Sequence, residues 1–217
     1  MQFFLDGSDV DKIRKYSEFG LIDGVTTNPS IILKSGKNMI EVISELAQIV
    51  SGSVSAEVSA LDSDKMVQEG IKLSEIAKNV TVKLPITWNG LRACKTLSKK
   101  GISVNMTLCF SSTQALLAAK AGAEYVSPFI GRLDDLNLEG IDLISDIKLI
   151  YSNYKFSTKI LAASIRTINH VKQCAHIGAD VATIPLDIFE RLVKHPLTDS
   201  GLSQFTADWE KTGQSII

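Results

Sequence analysis

Several features that mark specialised classes of protein are scarce or missing in this sequence of 217 residues. It has only three cysteines, Cys94, Cys109 and Cys174, and no CxxC pair, which argues against a disulfide scaffold and favours a reducing compartment such as the cytoplasm. No run of 18 apolar residues occurs, so no membrane-spanning segment is expected. The first residues form neither a basic segment nor a long apolar one, so no signal peptide is expected.

A surplus of positive charge is also absent, because 23 Lys and Arg residues face 24 Asp and Glu residues. This balance argues against a nucleic-acid partner. The three histidines, His170, His176 and His195, show no metal-ligand spacing, so no metal site is expected. Low-complexity stretches and Pro/Gly-rich linkers are missing too, and 45% of the residues are hydrophobic. These features favour one globular unit with a large core.

What recurs along the chain is a short apolar run followed by a longer segment with helical periodicity. Eight such runs begin near Phe3, Val25, Val54, Val80, Ile102, Tyr125, Ile160 and Val181. Alternating strands and helices indicate a parallel sheet, and eight units predict an α/β fold of the (β/α)8 TIM-barrel type. An open doubly wound sheet is the alternative, but neither GxGxxG nor GxxxxGK[ST] is present. We expect the barrel to span residues 1–196 and a helical tail to span 197–217.

Polar residues interrupt these apolar runs in a regular way. They are Asp6, Asn28, Glu57, Lys83, Asn105, Thr107, Ser127, Ser164 and Arg166. Side chains of a strand alternate between its two faces, and several of these residues are two positions apart from another polar residue. The pattern therefore predicts one polar face directed into the barrel, near the strand ends where such barrels carry active sites.

Most of these residues, and also Arg132 after the sixth run, have a purely structural interpretation as well. A lone Ser or Thr can simply be hydrogen-bonded, and Asn28 before Pro29 can build a turn. Arg132 can be a surface charge and Arg166 a helix cap. Lys83 and Glu57 can form a structural ion pair, although burying unpaired charges is costly.

The polar set has the composition of a Schiff-base site. An amine in an apolar strand favours its neutral form, so Lys83 is the expected nucleophile toward a ketone. Asp6 and Glu57 can divide the proton transfers, and Asn28 and Asn105 can hold sugar hydroxyls. Arg132 and Arg166 offer permanently charged forks that suit a phosphate.

Several strings are long enough to compare with known families. They are GVTTNPSII from Gly24 to Ile32, VKLP around Lys83, NMT from Asn105 to Thr107, AGAEYVSPFIGRLDD from Ala121 to Asp135, AASIR from Ala162 to Arg166 and KHPLTD from Lys194 to Asp199. Together they resemble the transaldolase family over essentially the whole chain. The short length suggests its small-subunit members, which are close relatives of fructose-6-phosphate aldolase.

The resemblance implies a TIM barrel that uses a Schiff-base lysine and no metal or other cofactor. By position, Lys83 matches that lysine and Asp6 the acid/base aspartate, while Glu57 and Thr107 match the pair that holds a catalytic water. The remaining matches bind substrate: Asn28 and Asn105 at the intermediate's hydroxyls, Ser127 and Phe129 at the dihydroxyacetone pocket, and Arg132, Ser164 and Arg166 at the phosphate. The sequence departs from the family at Gly7, where a Thr or Ser is more usual.

Glu57 and Phe129 resemble the transaldolases rather than the aldolases, which have a glutamine and a tyrosine at these places. The resemblance thus implies transfer of a dihydroxyacetone unit, converting sedoheptulose 7-phosphate and glyceraldehyde 3-phosphate to erythrose 4-phosphate and fructose 6-phosphate. This reaction belongs to the non-oxidative pentose phosphate pathway. An aldolase that releases free dihydroxyacetone, and a barrel without catalytic activity, remain alternatives.

The tail carries an apolar stripe. Leu202, Phe205 and Trp209 are spaced as one face of a helix. The stripe can pack on its own barrel, whereas the resemblance implies contacts between subunits of a homo-oligomer, either a pentamer or a decamer.

Overall fold

A closed barrel of eight parallel strands forms the centre of the protein, as the computed structural model of residues 1–217 describes it. The strands are β1 (Gln2–Asp6), β2 (Gly24–Thr26), β3 (Val54–Glu57), β4 (Val80–Pro85), β5 (Val104–Cys109), β6 (Tyr125–Pro128), β7 (Lys159–Ala162) and β8 (Val181–Pro185). Each strand pairs with its neighbours in sequence, and β8 closes the ring against β1. The predicted TIM barrel is confirmed.

Helices surround this barrel. They are α1 (Val10–Ser17), α2 (Pro29–Ser35), α3 (Met39–Ile49), α4 (Ser63–Ser74), α5 (Trp88–Lys99), α6 (Ser112–Ala121), α7 (Ile130–Asp134), α8 (Gly140–Tyr154), α9 (Ile168–Ile177), α10 (Leu186–Arg191) and α11 (Pro196–Thr212). The crossovers after β2 and β6 each contain two helices, so the repeat is less regular than the sequence pattern indicates. None of the helices combines the length and the apolar character needed to cross a membrane.

Local sequence accounts for the helix starts. The carboxylates of Asp9 and Asp62 accept backbone N–H groups at the starts of α1 and α4, and the Ser111 hydroxyl does the same for α6. The sequence pattern indicates Ser8 as the start signal of α1, whereas the structure has the next residue, Asp9, as the cap. In α3, the buried residues Val42, Ile43 and Leu46 form the stripe that packs against the sheet.

The apolar core is divided by the barrel wall. A large cluster fills the space between strands and helices, whereas Phe4, Tyr125, Leu161 and Val181 form a separate cluster of four residues inside the barrel. Phe4 is in the middle of β1, Tyr125 and Val181 begin their strands, and Leu161 is in register with Val181, so the four residues fill the interior below the strand C-termini. The space left for polar side chains is therefore at the C-terminal end of the barrel.

The helix α11 stands apart from this core. None of its residues is buried, and Leu202, Phe205 and Trp209 are 66%, 75% and 44% exposed. The stripe therefore does not pack on its own barrel, and the extra C-terminal helix presents it to the outside.

Candidate active site

Lys83 lies at the centre of the polar end of the barrel. It is 5% exposed, and its Nζ is 3.1 Å from Glu57 Oε2 and donates a 3.0 Å hydrogen bond to the backbone carbonyl of Thr27. Glu57, Lys83 and Asn105 are register partners on β3, β4 and β5, so strand pairing itself brings them side by side. Lys83 is thus not an isolated amine in an apolar environment, because a carboxylate is in direct contact with it.

A polar network supports the neighbouring strands. The Asn105 amide donates to Ser55 Oγ at 3.2 Å, and the Ser127 hydroxyl donates to Asn105 Oδ1 at 2.7 Å. All three residues are at most 1% exposed. Since both functional groups of the Asn105 amide are satisfied, its orientation is fixed beside Lys83.

Asp6 ends β1 on the same inner face. Its Oδ1 accepts a 2.7 Å hydrogen bond from the Thr26 hydroxyl, whose oxygen is 2.5 Å from that of Thr183. Burial raises the pKa of the Asp6 carboxyl above its ordinary value, against the opposing effects of the Thr26 hydrogen bond and the Lys83 charge. A carboxylate with a raised pKa binds a proton more strongly, which suits a group that must accept a proton and later return it.

Gly7 does not leave Asp6 loosely held. The Gly7 N–H donates to the Thr26 carbonyl at 3.1 Å, which continues the ladder between β1 and β2. A Cβ at this position would meet only Leu186 Cδ1, at 3.6 Å, an ordinary contact. The departure from the usual Thr or Ser is therefore compatible with the same backbone.

A cavity of about 130 Å³ opens above Lys83. Its wall contains seven of the predicted site residues, namely Asp6, Asn28, Lys83, Ser127, Phe129, Arg132 and Ser164, together with Thr26, Ala163 and Thr183. A larger recess of about 450 Å³ lies near Asn79 and Glu124 and contains none of the predicted site residues. The chemistry-bearing residues therefore identify the smaller cavity as the candidate site.

Four predicted residues are outside this wall. Glu57 contacts Lys83 from the side, and Asn105 lies behind Ser127. Thr107 is 1% exposed, and its hydroxyl forms no hydrogen bond with any protein group. Arg166 lies beyond the wall, in the loop after β7, where both its Nη atoms contact the Asp135 carboxylate.

The side-chain alternation predicted for this face fails after β7. That strand ends at Ala162, and Leu161 and Ala163 face the interior, so Ser164 has the opposite parity. Ser164 nevertheless lines the cavity because its backbone adopts a left-handed conformation, with φ of 57°. Non-glycine residues rarely adopt this conformation, and such strain is concentrated at functional sites.

The structural interpretations offered for two polar residues can also be compared with the structure. Asn28 Oδ1 accepts the Ile31 N–H at 3.0 Å and caps α2, while the same residue lines the cavity. It therefore has both a structural role and a place in the wall. Arg166 is not the cap of α9, because the Thr167 side chain occupies that position.

Arg132 and Phe129 form a second corner of the cavity. The Arg132 guanidinium lies 4.9 Å above the Phe129 ring, which packs edge-on against Phe110 at 5.5 Å. No carboxylate pairs with Arg132, whereas the neighbouring Arg166 holds the pKa of Asp135 below its ordinary value through their hydrogen bonds. Arg132 is thus the cation of this corner that is free to meet an anionic ligand.

Three residues of the wall have no predicted role, and two of them are polar, Thr26 and Thr183. A signal was present for both, because each is a polar residue within an otherwise apolar run, in GVTT and VATIP.

No group of three or more His, Cys, Asp or Glu side chains is arranged to hold a metal ion.

Comparison with known proteins places the chain in one family. The profile of the transaldolase/fructose-6-phosphate aldolase family matches residues 3–216. Proteins named probable transaldolase from Roseobacter denitrificans and Dinoroseobacter shibae are 63% and 60% identical, and each alignment covers 100% of both chains. A thiamine phosphate pyrophosphorylase structure from Pyrococcus furiosus shares the fold alone, with a TM-score of 0.60 at 13% identity over 85% of each chain. The extent and identity of these matches show that the chain belongs to the transaldolase/fructose-6-phosphate aldolase family.

Proposed function

We propose that this protein is a transaldolase, which transfers a dihydroxyacetone unit from a ketose phosphate to an aldose phosphate through an imine on Lys83. The donors are fructose 6-phosphate or sedoheptulose 7-phosphate, as in the non-oxidative pentose phosphate pathway. The observation that carries the proposal is the cavity itself, whose wall combines a buried amine, a half-buried carboxyl and a guanidinium without an ion-pair partner. These are a nucleophile, a proton carrier and a phosphate-binding cation.

Glu57 supports the first step, imine formation. The Lys83 amine attacks the C2 carbonyl of the donor only when it has lost a proton, and the Glu57 carboxylate at 3.1 Å is positioned to accept that proton. The proton then returns to the hydroxyl of the carbinolamine, which leaves as water while the protonated imine forms. Thr107, buried two residues after Asn105 on β5, has a free hydroxyl that is available to that water.

Asp6 supports the second step, carbon–carbon cleavage. Its carboxylate takes the proton of the C4 hydroxyl, the C3–C4 bond breaks, and the electron pair moves into the imine to give an enamine on Lys83. The aldehyde fragment leaves. An acceptor aldehyde then reacts with the enamine, and Asp6 returns its proton to the new hydroxyl. The raised pKa of Asp6 suits a group that must both take and return a proton.

Arg132 and Ser164 bind the phosphate of the sugar in this proposal, with Arg166 beside them. The backbone ties their two segments together, since the N–H groups of Ile130 and Gly131 donate to the carbonyls of Ala163 and Ser164 at 3.0 Å. A Cβ on Gly131 would lie 2.6 Å from Arg166 Nε, so this glycine lets the Arg166 side chain pass close to α7. Asn28 and Ser127 hold the hydroxyls of the dihydroxyacetone unit from the wall, and Asn105 contributes the amide N–H that its contacts with Ser55 and Ser127 leave unused.

Phe129 favours transfer over release of free dihydroxyacetone. Its ring lines the cavity beside Ser127 and offers neither a proton nor a hydrogen bond to water. The enamine on Lys83 therefore has no neighbouring hydroxyl from this position that would protonate its carbon. This supports a transferase over an aldolase that releases dihydroxyacetone.

The exposed stripe of α11 supports a homo-oligomer. Leu202, Phe205 and Trp209 remain outside the core of their own chain, and burying such side chains is worth about 1.5–3 kcal/mol each. A second copy of the chain is the proposed occupant, in a pentamer or decamer. Three unpaired, buried cysteines are consistent with a place in the cytoplasm.

The experiment that tests the proposed activity follows the products formed from fructose 6-phosphate with and without erythrose 4-phosphate. A transaldolase forms sedoheptulose 7-phosphate and glyceraldehyde 3-phosphate only when the acceptor is present. Release of free dihydroxyacetone at the same rate without acceptor would instead identify the aldolase activity. Absence of product both with and without acceptor would favour a barrel without catalytic activity. Lys83→Arg is the inactive control, because arginine keeps the charge but cannot form an imine.

A further inference from the structure

Thr183 completes a chain of hydroxyl groups that ends at Asp6. It lies at the centre of β8, is 3% exposed and faces the cavity. Its Oγ1 is 2.5 Å from Thr26 Oγ1, and Thr26 in turn contacts Asp6 Oδ1 at 2.7 Å. The chain crosses three adjacent strands, β8, β1 and β2, and Thr183 forms no other side-chain hydrogen bond.

The number of protons fixes the direction of this chain. A threonine hydroxyl has a single proton to donate. When Asp6 is ionised, Thr26 uses that proton toward the carboxylate, so the short contact between the two threonines requires Thr183 to donate to Thr26. When Asp6 is protonated, both bonds can reverse, and Thr183 becomes the acceptor at the end of the chain. In that reversed arrangement the Thr183 proton has no protein acceptor, whereas with Asp6 ionised both threonine protons are in hydrogen bonds.

The series of hydrogen-bonded hydroxyls stabilises the ionised Asp6 carboxylate more than it stabilises the protonated carboxyl. Aligned hydroxyl dipoles interact more strongly with a charge than with a neutral carboxyl, and successive hydrogen bonds strengthen one another. Lys83 is the charged group that acts on Asp6 from across the barrel, and its own partner is Glu57 on β3. Arg132 faces the same cavity from α7, while Glu190 on α10 is turned away toward Tyr16. These charges are unaffected by a change at Thr183.

We propose that Thr183 is a positioning residue that acts through Thr26 to keep the Asp6 carboxylate ionised and oriented between turnovers. The inference rests on the proposed function, because it assigns Asp6 the proton transfer at the C4 hydroxyl. Thr183 itself takes no part in bond making or breaking. By donating to Thr26, Thr183 keeps the Thr26 proton directed at Asp6. This hydrogen bond favours the ionised carboxylate, which is the form that can accept a proton from the substrate.

The test is the pH dependence of kcat/KM for fructose 6-phosphate with erythrose 4-phosphate as acceptor. Thr183→Val keeps the branched shape but removes the hydroxyl, which raises the pKa of Asp6 further and moves the acid limb to higher pH. If loss of the Thr183 hydroxyl weakens the hydrogen bond from Thr26 to the Asp6 carboxylate by about 10–30%, the acid limb should move by up to about 0.7 pH unit. Thr183→Ser, which retains the hydroxyl, is the matched control and should leave the acid limb in place.

A double-mutant cycle separates this role from mere packing. Thr26→Val should move the acid limb further than Thr183→Val, and adding Thr183→Val to Thr26→Val should move it no more. An unmoved acid limb in a folded Thr183→Val protein, or an equal shift in Thr183→Ser, would overturn the inference. Equal additional shifts in both backgrounds would also overturn it, because Thr183 would then not act through Thr26.

Borohydride trapping of the Lys83 imine distinguishes this failure from failure of the proposed function. With fructose 6-phosphate as donor, the adduct should form in wild type and in Thr183→Val alike, because imine formation depends on Lys83 and Glu57 and not on Thr183. If wild type itself gives no adduct, the proposed function fails. If the adduct forms and the acid limb does not move, only the role of Thr183 is refuted.

Discussion

Replacing Arg132 by alanine tests the proposed phosphate site most sharply, because the two arginines of that site differ in their surroundings. The Arg132 guanidinium lines the cavity, lies over the Phe129 ring and has no carboxylate partner. The Arg166 guanidinium is outside the cavity wall and is held by Asp135, with about half of each side chain exposed. We therefore expect Arg132 to contribute more to phosphate binding than Arg166.

The expected magnitudes follow from the two environments. Loss of charge-assisted hydrogen bonds from Arg132 to a phosphate costs about 1.5–3 kcal/mol, or about 10- to 150-fold in affinity. Arg166→Ala alone would leave the Asp135 carboxylate unpaired near the phosphate and would add repulsion. The fair comparison is therefore the double variant Arg166→Ala/Asp135→Ala, which removes the cation together with the anion that neutralises it and should weaken phosphate binding less than Arg132→Ala does.

The assay measures the donor concentration that gives half-maximal borohydride trapping on Lys83, with fructose 6-phosphate and with dihydroxyacetone. Arg132→Ala should shift the curve for fructose 6-phosphate and leave the curve for dihydroxyacetone, which has no phosphate, almost unchanged. Arg132→Lys, which keeps the charge but loses the fork, should lie between wild type and the alanine variant. Equal shifts for both donors, or a double variant as impaired as Arg132→Ala, would refute the reasoning.

Three further predictions concern other parts of the molecule. Phe129→Tyr introduces a hydroxyl beside the enamine, so the ratio of free dihydroxyacetone to sedoheptulose 7-phosphate formed from fructose 6-phosphate with acceptor should rise; an unchanged ratio in a folded variant would show that Phe129 only fills space. Deleting residues 198–217 should reduce the particle mass in light scattering, because the exposed stripe of α11 is removed; an unchanged mass would reject its role in assembly. Asp6→Asn should abolish transfer but raise the melting temperature at pH 7, since burial raises the pKa of Asp6 and the unfolded state ionises more readily than the folded state; the gain should shrink as the pH falls from the folded pKa toward the ordinary pKa of an aspartate, and a full gain that persists below that ordinary value would contradict this cause.

The barrel could be predicted from sequence because its signals are local and repeated. Each apolar run of β1 to β8 is followed by a helical pattern, and the helix caps lie next to the runs. The central trio Glu57, Lys83 and Asn105 follows from the same logic, since all three face inward and strand pairing brings them into register. The sequence did not reveal that two helices, rather than one, follow both β2 and β6, because both members of each pair continue the helical periodicity.

Contacts that depend on loops could not be predicted in the same way. The pairing of Arg166 with Asp135 joins two loop regions 31 residues apart, and the sequence alone indicates two free arginines for a phosphate. The left-handed backbone at Ser164 breaks the alternation of β7 without a glycine to mark it. Thr183 was missed for a different reason, because a lone threonine in a strand usually has only a structural hydrogen bond. Its contact with Thr26 arises only once the barrel closes and brings β8 next to β1 and β2.

The most direct test of the account is to identify the atom that carries the intermediate. The protein is incubated with fructose 6-phosphate, reduced with borohydride, digested and examined by mass spectrometry. The account predicts a dihydroxyacetone adduct on Lys83, the buried amine that contacts Glu57, and no adduct in Lys83→Arg. An adduct on another lysine, an adduct that survives in Lys83→Arg, or turnover without any adduct would contradict it.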